Sequence, residues 1–124
     1  MFFTLAFIIV SIMVSTTVVA RNLYISTTTT GLSITSGTAT VSGNVSGYQG
    51  LTTQLKIQLE LQQYVNNSWQ TIKSWSETFY THRGNLTETY SVSSGKYRVK
   101  ATYYGYGTGG GYDEIPTYSS EVSY

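Results

Sequence analysis

The segment Gln54-Leu55-Lys56-Ile57-Gln58-Leu59-Glu60-Leu61-Gln62 alternates apolar and polar residues without a break. Successive side chains of an extended chain leave on opposite faces. Leu55, Ile57, Leu59 and Leu61 therefore share one face, and Lys56, Gln58, Glu60 and Gln62 share the other. A helix would set Ile57 and Leu61 across from Leu55 and Leu59, so a half-buried strand fits better. Burying the four apolar side chains contributes roughly 6–12 kcal/mol, an upper value because the unfolded chain already hides some of that area. The segment reads as the central strand of an antiparallel sheet whose inner face needs a second layer.

The rest of the chain supplies strands of the same kind. Asn22 to Thr30 reads as an entry segment that becomes a first strand. Leu32 and Ile34, the turn Ser36-Gly37, then Ala39 and Val41 read as a hairpin. Glycines 43, 47 and 50 mark a loop around Tyr48. The central strand ends near Tyr64-Val65, and Asn66-Asn67-Ser68 is a tight-turn signal, since Asn tolerates positive φ. Trp69 to Phe79 reads as the next strand, with a bulge near residues 71–73 because Trp69, Ile72 and Trp75 break strict alternation. Residues 82–85 read as a loop, Leu86 to Val92 as a strand, and Ser93-Ser94-Gly95 as a turn. Tyr97, Val99, Ala101 and Tyr103 alternate again with Arg98, Lys100, Thr102 and Tyr104. Gly105 to Gly111 reads as a flexible loop, and Tyr118 to Tyr124 as a last strand. About seven short strands without a helical period predict an all-β fold, an antiparallel β-sandwich of the immunoglobulin or fibronectin type III kind. A small barrel is the alternative.

Residues 2–14 are nearly all apolar, and Val18-Val19-Ala20 has the small-residue spacing of a secretory cleavage site. Residues 1–20 therefore read as a signal peptide and residues 21–124 as the sandwich domain. No Lys or Arg precedes the apolar run, so an uncleaved membrane anchor is the alternative, and a buried strand of the core is the third reading. The expected location is secreted and extracellular, or anchored with the domain outside. There is no cysteine, which excludes disulfides, thiolate metal sites and cysteine nucleophiles. An exported domain of this kind must hold together through its core.

The formal net charge of +1 gives no electrostatic reason to expect nucleic acid as a partner. His82 is the one histidine. It has no ligating neighbours in sequence and no nucleophile-elbow motif to serve, so it reads as a loop residue. Asp113-Glu114, after three glycines, suggests a calcium loop but supplies too few alternating carboxylates. No cofactor, no metal and no catalysis are expected. Tyr103, Tyr104, Tyr106 and Tyr112 flank the glycine loop, and Tyr with Gly and Ser is the composition of adaptable binding loops. Tyr104, Tyr106 and Tyr112 are the candidate contacts. Trp75 is a candidate sugar-stacking residue, whereas Trp69 reads as core. The expected partner is an extracellular protein or glycan, and sparse edge charge also permits self-association.

Ser94-Gly95-Lys96-Tyr97-Arg98-Val99-Lys100-Ala101 resembles the sixth strand of fibronectin type III domains. The resemblance implies that Tyr97 is a corner tyrosine with its ring in the core and its hydroxyl on nearby backbone. Val41 and Val99 fall where immunoglobulin domains carry their cysteines. Leu55 to Gln62, Ser68-Trp69-Gln70-Thr71-Ile72-Lys73-Ser74-Trp75 and residues 90–101 together resemble a family of small secreted proteins of Gram-positive, mainly clostridial, bacteria. That resemblance covers most of residues 32–124. It implies a secreted single β-sandwich and brings no catalytic motif.

Overall fold

The computed structural model describes residues 22–124 and the backbone pairing of residues 11–18. The strands are β1 (Ser11–Val18), β2 (Ile25–Thr35), β3 (Thr38–Gly47), β4 (Thr52–Val65), β5 (Ser68–Phe79), β6 (Arg83–Ser91), β7 (Lys96–Gly107), β8 (Tyr112–Tyr118) and β9 (Val122–Ser123). One antiparallel sheet has the order β2-β3-β6, with β1 alongside β2. The other has the order β5-β4-β7-β8, and β9 also pairs with β7. Of the expected leader, the described residues contain only β1, so the fate of residues 1–20 lies outside them.

The alternating segment occupies β4, the best-paired strand of its sheet. Its partners β5 and β7 flank it on both sides, and Leu55, Ile57, Leu59 and Leu61 are fully buried. Leu32, Ile34, Ala39, Val41, Val45 and Leu86 cover them from the other sheet, and Val99, Ala101 and Tyr103 complete the same interior. Val41 and Val99 are both fully buried, so apolar packing fills this interior without a disulfide.

Two hairpins fix the registers. Thr35 pairs with Thr38 around Ser36 (φ 50°) and Gly37 (φ 76°). Val65 pairs with Ser68 around Asn66 (φ 52°) and Asn67 (φ 65°). Positive φ at both central residues is the type I′ geometry that matches strand twist. The expected bulge is present: Leu61 pairs with Lys73 and Gln62 with Thr71, which leaves Ile72 as the extra residue.

Three boundaries differ from expectation. The segment expected as a loop at residues 82–85 enters β6 at Arg83, because Arg83 and Asn85 pair with Ser46 and Asn44. The glycine segment is not a loop throughout: β7 continues to Gly107, and the connection is Thr108 to Gly111. The last stretch splits into β8 and β9 rather than one strand from Tyr118. Pro116 lies within β8, which is tolerable because β8 is an edge strand with no outer neighbour needing its N–H.

Polar side chains also cross the interior. Tyr103 projects from β7 to the opposite sheet, where its hydroxyl donates to the Thr29 carbonyl (2.9 Å). That hydroxyl has one proton, so the Thr30 hydroxyl donates to it (2.8 Å), and the Thr117 hydroxyl donates to Thr30 (2.6 Å). Tyr97 is buried, and its hydroxyl donates to the Ser93 carbonyl (2.7 Å), pinning the β6–β7 connection.

Candidate functional site

The alternation that buries one face of β4 sends the other outward, and the pairing registers extend that outward face across the sheet. Lys56 lies beside Tyr104, and Tyr104 beside Glu114. Gln58 lies beside Thr102, and Thr102 beside Pro116. Glu60 lies beside Lys100, and Lys100 beside Tyr118. Gln62 lies beside Arg98 and Thr71. The hairpin after Val65 then pairs Tyr64 with Trp69.

Aromatic side chains gather at both ends of this face. At one end the rings of Tyr106 and Tyr112 stack with centroids 5.7 Å apart, and the Lys56 ammonium sits 5.5 Å from the Tyr104 centroid. Tyr112 is 56 % exposed. The Tyr104 hydroxyl titrates above its ordinary value, chiefly through desolvation and then through Glu114, Tyr106, Tyr112 and Glu60 nearby. The structure thus brings together the three tyrosines that the sequence singles out.

The connection beside them is tied down rather than loose. The buried Tyr24 hydroxyl donates to the Gly110 carbonyl (2.6 Å). Gly107 packs so closely on the Tyr24 ring and the Leu51 carbonyl that a Cβ there would overlap both. Asp113 and Glu114 do not form a joint carboxylate site, because adjacent strand residues point to opposite faces. Glu114 is exposed, whereas Asp113 is buried and accepts hydrogen bonds from the N–H groups of Leu23 (3.1 Å), Tyr24 (2.7 Å) and Ile25 (2.9 Å). Those three donors occupy the carboxylate and tie the chain entering β2 to β8. Among the described residues, no group of three or more His, Asp and Glu side chains could hold a metal ion.

The second aromatic group, at the other end, is one that reading the chain in order misses. Tyr64 and Trp69 are tilted against each other at 5.2 Å. The Arg98 guanidinium lies 4.4 Å from the Trp69 centroid and 4.4 Å from that of Tyr118. The Lys96 ammonium sits 5.2 Å from the Tyr64 ring. Arg98 Nε donates to Gln62 Oε1 (2.8 Å), Gln62 Nε2 donates to Thr71 (3.2 Å), and Thr71 donates to Glu60 (2.9 Å). Trp69 is therefore an outer-face residue and not a core residue. The signal was present: a two-residue turn at Asn66-Asn67 pairs Trp69 with Tyr64, which the alternation already places outward.

Trp75 stands apart from the tyrosines. It pairs with Leu59, packs on the core cluster and meets Tyr90 edge to face at 6.3 Å, where it closes the side of the sandwich between β5 and β6. It also borders a groove of about 230 Å³ between β4 and β5, lined by Lys56, Gln58, Ser74 and Ser76, while its ring packs on the core. His82 is partly buried, and its carbonyl accepts from the Gly47 N–H (2.7 Å). Comparison of the chain with protein-family models, curated proteins and solved structures finds no match.

Proposed function

We propose that the chain is a secreted, non-catalytic β-sandwich module that binds an extracellular protein or glycan through the outer face of the β5-β4-β7-β8 sheet. The observation that carries this reading is the placement of two aromatic groups on one face with polar and charged residues between them. Tyr104, Tyr106 and Tyr112 form one end, and Tyr64, Trp69 and Tyr118 the other. Lys56 and Gln62 are six strand positions apart, which corresponds to about 20 Å. Rings with polar tips suit an extended ligand, since aromatic area contributes affinity at low conformational cost. Export by residues 1–20 supports an extracellular partner, and retention of that segment would instead anchor the domain to a membrane. The fibronectin type III-like reading draws support from the division of strands between the sheets and from the Tyr97 hydrogen bond to Ser93.

The test is retention of the purified protein on cell envelopes and on insoluble polysaccharides. The combined substitution Tyr104→Ala and Tyr112→Ala is expected to abolish retention, and Trp69→Ala to weaken it. Undiminished retention of all these variants would refute the face. A second reading, self-association, is favoured by the uncharged β2 edge.

A further inference from the structure

The two sheets have four lateral edges, and three of them carry devices that discourage pairing with another chain. β5 has Lys73, Glu77 and the Ile72 bulge. β6 has Arg83 and Glu88. β8 has Asp113, Glu114 and Pro116. Charges, prolines and bulges are the usual means of keeping an edge strand from pairing with another molecule. β2 differs: Ile25–Thr35 contains no charged residue and no proline, and its one irregularity against β3 lies at its start, between Ile25 and Thr27. The strand that covers it is β1, which runs antiparallel from Ser11 opposite Ile34 to Val18 opposite Thr27. β1 belongs to the apolar leader. Among the described residues, the hydrophobic core runs from Ile25 to Val122.

We propose that the β2 edge is an association surface for a second copy of this chain, uncovered when residues 1–20 are removed. This rests on the export reading and names the partner of the self-association it allows. The edge accepts an antiparallel neighbour over eight residues, as β1 shows. Antiparallel pairing of a strand with its own copy is self-complementary about a two-fold axis. With that axis through Gly31, Thr29 of each copy lies across from Ser33 of the other, and Thr27 across from Thr35. Such Thr–Thr and Thr–Ser cross-strand pairs are favourable, and no like charges oppose them. The β2-β3-β6 sheet then continues from one molecule into the next.

The experiment compares the full chain with the form recovered from the medium of an exporting host. Its mass shows whether it starts at Arg21, and sedimentation velocity over a concentration series shows its association. The processed form is expected to approach twice the monomer mass, while the full chain stays monomeric. Thr29→Lys combined with Ser33→Lys, which keeps both side chains on the solvent face and sets like charges directly opposite each other, is expected to weaken dimerisation roughly tenfold or more, with an unchanged melting temperature in dilute, monomeric solution. Tyr112→Ala is expected to leave it unchanged. Amide exchange in β2 should slow with concentration. A processed chain that remains monomeric throughout overturns the proposal, as does a dimer insensitive to both lysine substitutions. A secreted form that retains residues 1–20 refutes the cleavage reading instead, and a chain expressed from Arg21 then tests the edge by itself.

Discussion

The difference in stability between this protein and its Tyr103→Phe variant should depend on pH and change sign. Tyr103 is fully buried, and burial pushes its hydroxyl from the ordinary value of 10.0 to about 12, against smaller opposing effects of the Thr30 hydrogen bond and of the Asn44 backbone. A raised folded pKa means that the native state holds the proton more tightly than the unfolded chain. The stabilisation is complete below pH 10.0 and is lost as pH rises through about 12. That gap corresponds to about 3 kcal/mol in full. At neutral pH, Tyr103→Phe removes the hydroxyl that joins Thr29 and Thr30, at a cost of about 1.5 kcal/mol. The wild-type advantage should therefore shrink above pH 10 and vanish at about pH 11, and the Phe variant should be the more stable protein at about pH 12. Urea unfolding followed by far-ultraviolet circular dichroism at a series of pH values measures both curves. Exposed tyrosines and lysines titrate equally in the two proteins, so their effects cancel in the difference. Curves that stay parallel to about pH 12 would refute the argument.

Other outcomes follow from single contacts. Asp113→Asn leaves three backbone donors with a weaker acceptor and should cost about 2–4 kcal/mol, read as a lower urea midpoint at unchanged slope. Ser36→Asn places a residue that tolerates positive φ where Ser sits at 50°, and should stabilise by about 0.5 kcal/mol in thermal unfolding. Leu59→Ala removes a fully buried side chain against which Trp75 packs, and should cost about 2–5 kcal/mol with a shift in tryptophan emission.

The strands were legible where burial is one-sided. β4 and β7 alternate cleanly because each has one face on the core and one in water, and the two hairpin turns are written in Ser36-Gly37 and Asn66-Asn67. β8 was not legible. Its sequence Tyr-Asp-Glu-Ile-Pro-Thr-Tyr buries a carboxylate and carries a proline, both of which argue against a strand until its edge position and the three N–H groups facing Asp113 are known. The tyrosine end of the outer face was legible because its rings lie close together in the chain. The Trp69 end was obscured because size suggested burial, whereas the turn register and the Arg98 guanidinium hold that ring on the surface half-covered. Amphipathic side chains of this kind satisfy an aromatic face without a core.

The contacts around Asp113 also join the two surfaces that carry the functional proposals. Its carboxylate holds the N–H groups of residues 23–25, which lead directly into the β2 edge. Its backbone pairs with Gly105, one residue from Tyr106, and its neighbour Tyr112 stacks on that ring. Tyr24 adds a second tie, from the same entering segment to the Gly110 carbonyl. In a chain without cysteine, these hydrogen bonds do the work a disulfide does elsewhere, fastening the start of the domain to its far edge. A carboxylate accepting three backbone donors is a fixed anchor, and loss of it frees both elements at once. The Asp113→Asn variant should therefore loosen the tyrosine end and the start of β2 together, visible as faster amide exchange at residues 23–27 and 106–112, with the Trp69 end unaffected. Exchange that quickens at one of these segments and not the other would show that they are held independently.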